Sequence, residues 1–171
     1  TFQIEFDKNE ELLPNTTYSI FLGETIQDIT NKNTANNLNF VFSTGATIDS
    51  LSVTGKAVDA LTLKPVIRAQ ISLYSNLTDT AFLTEAPLYL ALTDSSGSFR
   101  INHIKPGEYN IYGLLDKNQN YYFDQKTESI AFFQNMISLE NQNQKNILLK
   151  FSQERTPNYI KEKKFGDGIL K

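Results

Sequence analysis

The sequence predicts an all-β fold, and three observations support this prediction. Apolar and polar residues alternate over short runs, as in strands with one buried face. Bends rich in Gly, Pro, Asn and Asp separate these runs. Twelve Phe and eight Tyr, with no Trp, supply large buried surfaces without many aliphatic helix faces. In a chain of 171 residues, which suits one or two small domains, we expect tandem antiparallel β-sandwiches.

The first 48 residues contain three alternating runs, formed by Phe2, Ile4 and Phe6, by Tyr18, Ile20 and Leu22, and by Leu38, Phe40 and Phe42. A turn is expected at residues 13–17, because Pro14 fixes φ and Asn15 tolerates left-handed geometry. Residues 31–37 are a polar loop, too rich in Asn and Lys to be buried. Three half-buried strands are few for an independent sandwich.

Segments 13–20, 26–28 and 40–45 resemble the second half of the bacterial Ig-like domain of the surface-layer-protein type. The closing Ser43-Thr44-Gly45 is a marker of that family. The resemblance implies that residues 1–48 are the C-terminal part of such a domain, which is normally a spacer or an interaction platform. Because the first half of the domain is not present, we expect the natural start of the protein to lie upstream.

The clearest local signal lies at residues 93–109. Asp94 to Gly97 is turn material, because Asp and Ser bond their own backbone and Gly accepts positive φ. Residues 98–101 then alternate as a strand does, and Pro106-Gly107 forms a second turn before Tyr109. Two tight turns one strand apart predict antiparallel β structure.

With Val53, Gly55 and residues 63–66, this stretch resembles the carboxypeptidase regulatory-like, or transthyretin-like, domain over residues 52–151. The resemblance implies a seven-stranded, prealbumin-like antiparallel sandwich. In the metallocarboxypeptidases that carry this module, it is the non-catalytic appendage. The chain departs from the family at Arg68, where Gly is common, and in a long insertion at residues 76–87.

The end of the chain is organised in short segments. Apolar runs between residues 129 and 151 are interrupted by the polar stretch 141–146, which we interpret as a hairpin loop. We expect residues 152–171 to be a linker, up to residue 167, followed from Gly168 by the first strand of another β domain.

The best candidate site is a calcium loop formed by Asp116, Asn118, Asn120, the carbonyl of Tyr122 and Asp124, with Glu128 as a late carboxylate. Oxygen ligands at alternate positions are how a loop wraps a hard cation. The sixth position, however, is Tyr121 where an EF-hand needs Gly, and the twelfth is not Glu. The alternative is a polar hairpin turn whose Asp and Asn bond their own backbone. No cofactor is required in either case.

Several functions lack support in the sequence. The net charge of −3 gives no basic stripe for nucleic acid, and no apolar run reaches the roughly 18 residues of a membrane span. There is no Cys, and the one His, His103, is expected to be an inert surface or turn residue. No catalytic constellation is complete, so we do not expect an enzyme unless a site is shared with other domains.

Tandem Ig-like and regulatory-like sandwiches in this order resemble long lipoproteins of the Bacteroidota outer membrane. The resemblance implies a non-catalytic scaffold region of a larger envelope protein, held at the membrane by an upstream lipid anchor and bound to other envelope proteins. Loops 76–87 and 116–124 would be displayed to the partner. The alternative is a carbohydrate-binding module of a glycan-uptake or hydrolase system, because one of the consecutive aromatics at 121–123 must be exposed.

Overall fold

The computed structural model describes residues 5–7, 11–23, 38–118, 120–125, 127–153, 165–166 and 169–170. For residues 21–23, 38, 165–166 and 169–170 it describes the backbone alone. Within this part of the chain the fold is all-β with one short helix, which confirms the predicted fold class. The predicted alternation of Phe2 and Ile4 and the predicted loop at 31–37 lie outside the described residues.

A two-stranded antiparallel sheet, β1 (Thr17–Gly23) and β2 (Leu38–Ser43), forms the first unit. Both strands were predicted from their alternation. Tyr18 and Phe42 are directly opposite in the register, and their rings stack with centroids 5.3 Å apart. Phe6, which lies in an irregular segment, packs edge-on against Phe42 at 5.9 Å.

The Ser43-Thr44-Gly45 motif fastens the turn that precedes β1. Asn15 takes the expected left-handed conformation, with φ of +50°. The Thr44 hydroxyl donates to the Leu13 carbonyl at 2.6 Å and accepts from the Thr16 N–H at 3.0 Å. A Cβ on Gly45 would lie 3.0 Å from Asn15, so a larger residue at position 45 would press on the turn. The motif therefore has a physical role in this hairpin.

Eight strands form the large sheet, and their bounds are β3 (Leu51–Asp59), β4 (Gln70–Tyr74), β5 (Tyr89–Leu92), β6 (Ser98–Ile104), β7 (Gly107–Leu115), β8 (Ser129–Phe132), β9 (Ile137–Leu139) and β10 (Gln144–Gln153). Helix α1 (Ala81–Thr84) lies between β4 and β5. The strand order is β5-β4-β7-β8-β10-β3-β6, with β9 paired to β7. The sheet is nearly closed, which agrees with a sandwich-like fold.

Two details differ from the sandwich that the resemblance implies. The large sheet has eight strands instead of seven, and β10 runs parallel to β3 although the other strand pairs are antiparallel. The hairpin predicted around residues 141–146 was also wrong. The strands on either side of that stretch do not pair with each other, because β9 bonds to β7 whereas β10 bonds to β8 and β3.

The core lies inside the large sheet and follows the period of two. Along β10 the side chains of Ile147, Leu149 and Phe151 are buried, and the residues between them are exposed. Ile71 and Leu73 of β4 join the same cluster. Among the described residues, no buried side-chain nitrogen or oxygen lacks a hydrogen-bond partner.

The turn at residues 94–97 has the predicted chemistry. One oxygen of the Asp94 carboxylate accepts from the N–H groups of Ser96 and Ser98, at 2.8 and 2.9 Å, and Gly97 has φ of +73°. Hydrogen bonds to the Asp94 carboxylate, first the bond from the Ser96 hydroxyl and then those from the two N–H groups, lower the pKa of Asp94. The predicted two-turn stretch is thus confirmed from β6 to the start of β7.

Residues 154–164 of the predicted linker lie outside the described residues. After them, β11 (Phe165–Gly166) and β12 (Ile169–Leu170) form a small antiparallel pair. The second of these falls where a strand was expected after Gly168. Within the described part of the chain, no helix has the length and apolarity to cross a membrane.

Gly113 leaves space for the ring of Phe151. A Cβ at residue 113 would lie 2.4 Å from Phe151 Cζ, and that ring is 2% exposed and held among core residues. We predict that Gly113→Ala lowers the free energy of unfolding by about 1–3 kcal/mol, the usual cost of overpacking. Urea denaturation measures it. The control is Gly107→Ala, whose nearest neighbour would be Tyr109 Oη at 3.2 Å; equal effects of the two variants would contradict this packing.

Candidate functional site

The β7–β8 loop, residues 116–128, connects two paired antiparallel strands. Its last residue, Glu128, is fully buried, with 0% of its surface exposed. One carboxylate oxygen accepts from the Lys117 N–H at 3.2 Å, and the other accepts from the N–H groups of Asp124 and Gln125 at 3.3 and 3.2 Å. Glu128 therefore joins the two ends of the loop from within.

Four of the predicted calcium ligands are hydrogen-bonded inside this loop. The Asp124 carboxylate accepts from the side-chain amides of Asn118 and Asn120, the latter at 2.7 Å. The Asp116 carboxylate accepts from the Tyr121 N–H, also at 2.7 Å. The structure thus brings Asn118, Asn120 and Asp124 together, as the alternative interpretation of a self-bonded polar turn expects.

Tyr121 has φ of +69°, a left-handed conformation at the position where an EF-hand places Gly. Its neighbour Tyr122 donates its N–H to Asn120 Oδ1 at 2.9 Å. Among the described residues, no three His, Asp or Glu side chains are grouped so that they could hold a metal ion. The loop has two carboxylates near its polar centre, and calcium binding stays a prediction.

The α1 insertion, residues 76–87, folds back over the outer face of the large sheet. The Asn76 amide bonds to the Glu85 carboxylate and closes the segment, and the Asn110 amide on β7 donates to the Leu77 carbonyl at 3.0 Å. Within the insertion, Ala81 of α1 is buried. The insertion is therefore attached both to itself and to the sheet.

Aromatic side chains join the α1 insertion to the β7–β8 loop. The ring of Phe82 lies 4.7 Å from that of Tyr112 and 6.3 Å from that of Phe123. Tyr74 meets Tyr112 edge-on at 5.6 Å. Burial, followed by the nearby Tyr122 and Tyr112, raises the pKa of Tyr74 to about 12. The two loops that the sequence indicated separately thus share one small apolar layer.

This layer explains why all five residues of β4 are buried. Ile71 and Leu73 face the main core, and on the other side Gln70, Ser72 and Tyr74 are covered by the two loops. Gln70 Nε2 donates to Ser72 Oγ at 3.0 Å, so these polar groups are satisfied beneath the layer. Sequence reasoning did not predict that the two loops cover the outer side of β4. The available signal was the apolar content of the insertion, which is unusual for an exposed loop.

The two loops that form the layer also carry exposed apolar and aromatic side chains. We define the loop face as Leu77 and Leu83 of the α1 insertion together with Tyr121 and Tyr122 of the β7–β8 loop, all of which are exposed. Tyr121 is 52% exposed. The prediction that at least one of the three consecutive aromatics points away from the core is confirmed by the exposure of Tyr121 and Tyr122, whereas Phe123 packs on Phe82.

His103 is partly buried and has φ of +58°. Its Nδ1 lies 3.1 Å from the carbonyl oxygen of Asp49, and the Asp49 N–H donates to the Thr17 hydroxyl at 3.0 Å. The residue therefore connects the large sheet to the segment after β2.

The fold and these loops define the chain as an all-β protein of sandwich-like architecture. No family model matches the chain, and no curated protein matches it.

Glu128→Gln tests the internal closure of the β7–β8 loop. An amide presents one acceptor oxygen where the carboxylate presents two, so at least one of the three N–H groups loses its partner. We expect a loss of about 1–3 kcal/mol in the free energy of unfolding. The amides of Lys117, Asp124 and Gln125 should also exchange with deuterium faster. Glu140→Gln, at an exposed carboxylate, is the control and should change neither quantity; unaltered exchange in Glu128→Gln would refute the closure.

Thermal melts in calcium and in chelator test the calcium prediction. A cation that binds only the folded chain stabilises it by about 2.7 kcal/mol at 100 times its Kd, which raises the midpoint. The rise should be absent in Asp124→Asn, which lacks one carboxylate, and smaller with magnesium. A midpoint that is the same in calcium and chelator would leave the self-bonded turn as the correct interpretation.

Proposed function

We propose that this chain is a non-catalytic interaction region of a larger bacterial envelope lipoprotein, in which the loop face binds another envelope protein. The observation that supports this proposal is the union of the α1 insertion and the β7–β8 loop through Phe82, Phe123 and Tyr112. Loops held by a rigid scaffold are where binding residues are most often found.

The composition of the loop face is suited to a protein partner. Tyr and Leu side chains stand exposed above an anchored layer, and Tyr is enriched among the residues that contribute most to interfaces. Their supports are fixed before a partner arrives, because Glu128 and Asn110 hold the two loops in place. A preorganised surface loses less conformational entropy on binding.

The envelope location and the upstream lipid anchor come from the resemblance of the tandem sandwiches to Bacteroidota lipoproteins. An accessory subunit of an outer-membrane complex is the specific role that we infer. In that role the β-sandwich acts as a rigid support, and no reaction is assigned to it.

Capture from detergent-solubilised membranes of the source organism tests the role of the loop face. Leu83→Ala with Tyr121→Asn removes two exposed side chains, and Asn tolerates the left-handed backbone at 121. We expect a partner recovered stoichiometrically by the unaltered chain to be lost at least about tenfold, which corresponds to about 1.4 kcal/mol.

The matched control is Leu148→Ala with Leu63→Asn. Leu148 is exposed on β10, and Leu63 is exposed with φ of +57°, so the control repeats both kinds of change away from the loop face. Equal partner recovery by the two double variants would contradict the proposal, as would recovery of the chain only as a free monomer.

A further inference from the structure

A second feature is a cleft between the α1 insertion, the middle of β7 and the end of β8. Its volume is about 380 Å³, within the range of about 300–1,000 Å³ that is usual for small-ligand sites. The α1 insertion forms one wall, and the segment that follows Phe132 forms the other. Phe132 is 61% exposed, a high fraction for a large aromatic side chain at a strand end.

Three polar side chains line this cleft, namely Asp79, Asn110 and Gln134. Asn110 is held in position by its bond to the Leu77 carbonyl. Burial raises the pKa of the Tyr112 hydroxyl, and the nearby Asp79 carboxylate raises it further, while a bond from Asn110 opposes the shift. A carboxylate, a primary amide and a phenol thus lie close together, and Gln134 adds a second amide.

Aromatic side chains form the rest of the lining, namely Phe82 of α1, Tyr112 of β7, Phe132 at the end of β8 and Phe133 after it. The face of an aromatic ring carries partial negative charge. It attracts the slightly positive C–H bonds on one side of a pyranose ring. Around the edge of such a ring, hydroxyl groups both donate and accept, as primary amides do.

The charge of the lining limits the ligand class. The lining residues include no Lys, Arg or His among the described side chains, so phosphate, sulfate and uronic acids would meet no counter-charge. An ammonium group could contact Asp79, the rings and the amide oxygens, but it would offer no acceptor to the N–H donors of the Gln134 amide, whereas a hydroxyl group both donates and accepts. A neutral ligand that is rich in hydroxyl groups matches both the aromatic and the polar side chains of the lining.

We propose that this cleft is a binding site for a neutral saccharide, in which Phe132 contacts the sugar ring and Asp79, Asn110 and Gln134 bond its hydroxyl groups. The site is separate from the residues of the loop face, so the proposal does not depend on the function proposed above. In this proposal, the Phe132 side chain is exposed because it contacts the ligand.

A neutral-glycan array followed by NMR titration of the ¹⁵N-labelled chain with the best-bound oligosaccharide tests the site. We expect saturable chemical-shift changes at the amides of Asn110, Phe132 and Gln134. In Phe132→Ala we expect Kd to be at least tenfold higher. Met136→Ala, a nearby exposed apolar residue outside the cleft lining, is the matched control and should leave Kd unchanged. Binding should also be insensitive to salt, because the ligand is neutral.

Three outcomes would overturn the proposal. One is the absence of saturable binding to any neutral glycan on the array. Another is equal weakening by Phe132→Ala and Met136→Ala. The third is salt-sensitive binding of N-acetyl-lysinamide in the cleft, lost in Asp79→Asn, without glycan binding; this would identify the cleft as a pocket for a cationic side chain.

Discussion

The large sheet depends on the position of β10. In the order β5-β4-β7-β8-β10-β3-β6, this strand supplies the backbone pairing between the group that ends in β8 and the group that begins with β3. It pairs in parallel with β3, although Gln144 and its partner Val53 are about 90 residues apart in the sequence. Closing so long a loop costs conformational entropy, which the burial of Ile147, Leu149 and Phe151 offsets. The core is therefore complete only when the last strand of the sheet is in place.

The outer face of the sheet follows from the same closure. Once β4 and β7 are central, their outward side chains need cover, and two of these, Gln70 and Ser72, bond to each other beneath the α1 insertion and the β7–β8 loop. The cover is held at both ends by specific polar groups. Glu128 closes one loop from its buried side, and Asn110 attaches the other to β7. The exposed loop face is thus the outer side of a structural layer.

Sequence reasoning was most successful where structure is determined locally. The left-handed Asn15, the Asp94 turn with Gly97, and strands β1, β2 and β6 all follow from the chemistry of a few adjacent residues. The pairing of distant strands cannot be predicted in this way, because the alternation of apolar and polar residues in a strand does not specify which strand it pairs with. The stretch at 141–146 has the composition of a hairpin loop, yet tertiary pairing sends its two strands to different neighbours. The candidate site shows the same limit. The loop residues were identified, but their contact with Phe82 was not.

Preorganisation connects the fold to both proposed binding surfaces. A loop that is free in solution loses backbone and side-chain entropy when a ligand orders it. Here Phe82 is fixed between the rings of Tyr112 and Phe123, so the residues on either side of it are ordered before any ligand binds. Tyr and Phe have only two side-chain torsions, which keeps the remaining entropy loss small. The buried aromatic layer therefore stabilises the sheet by covering β4, and in both proposed functions the same contacts would position the exposed rings for binding.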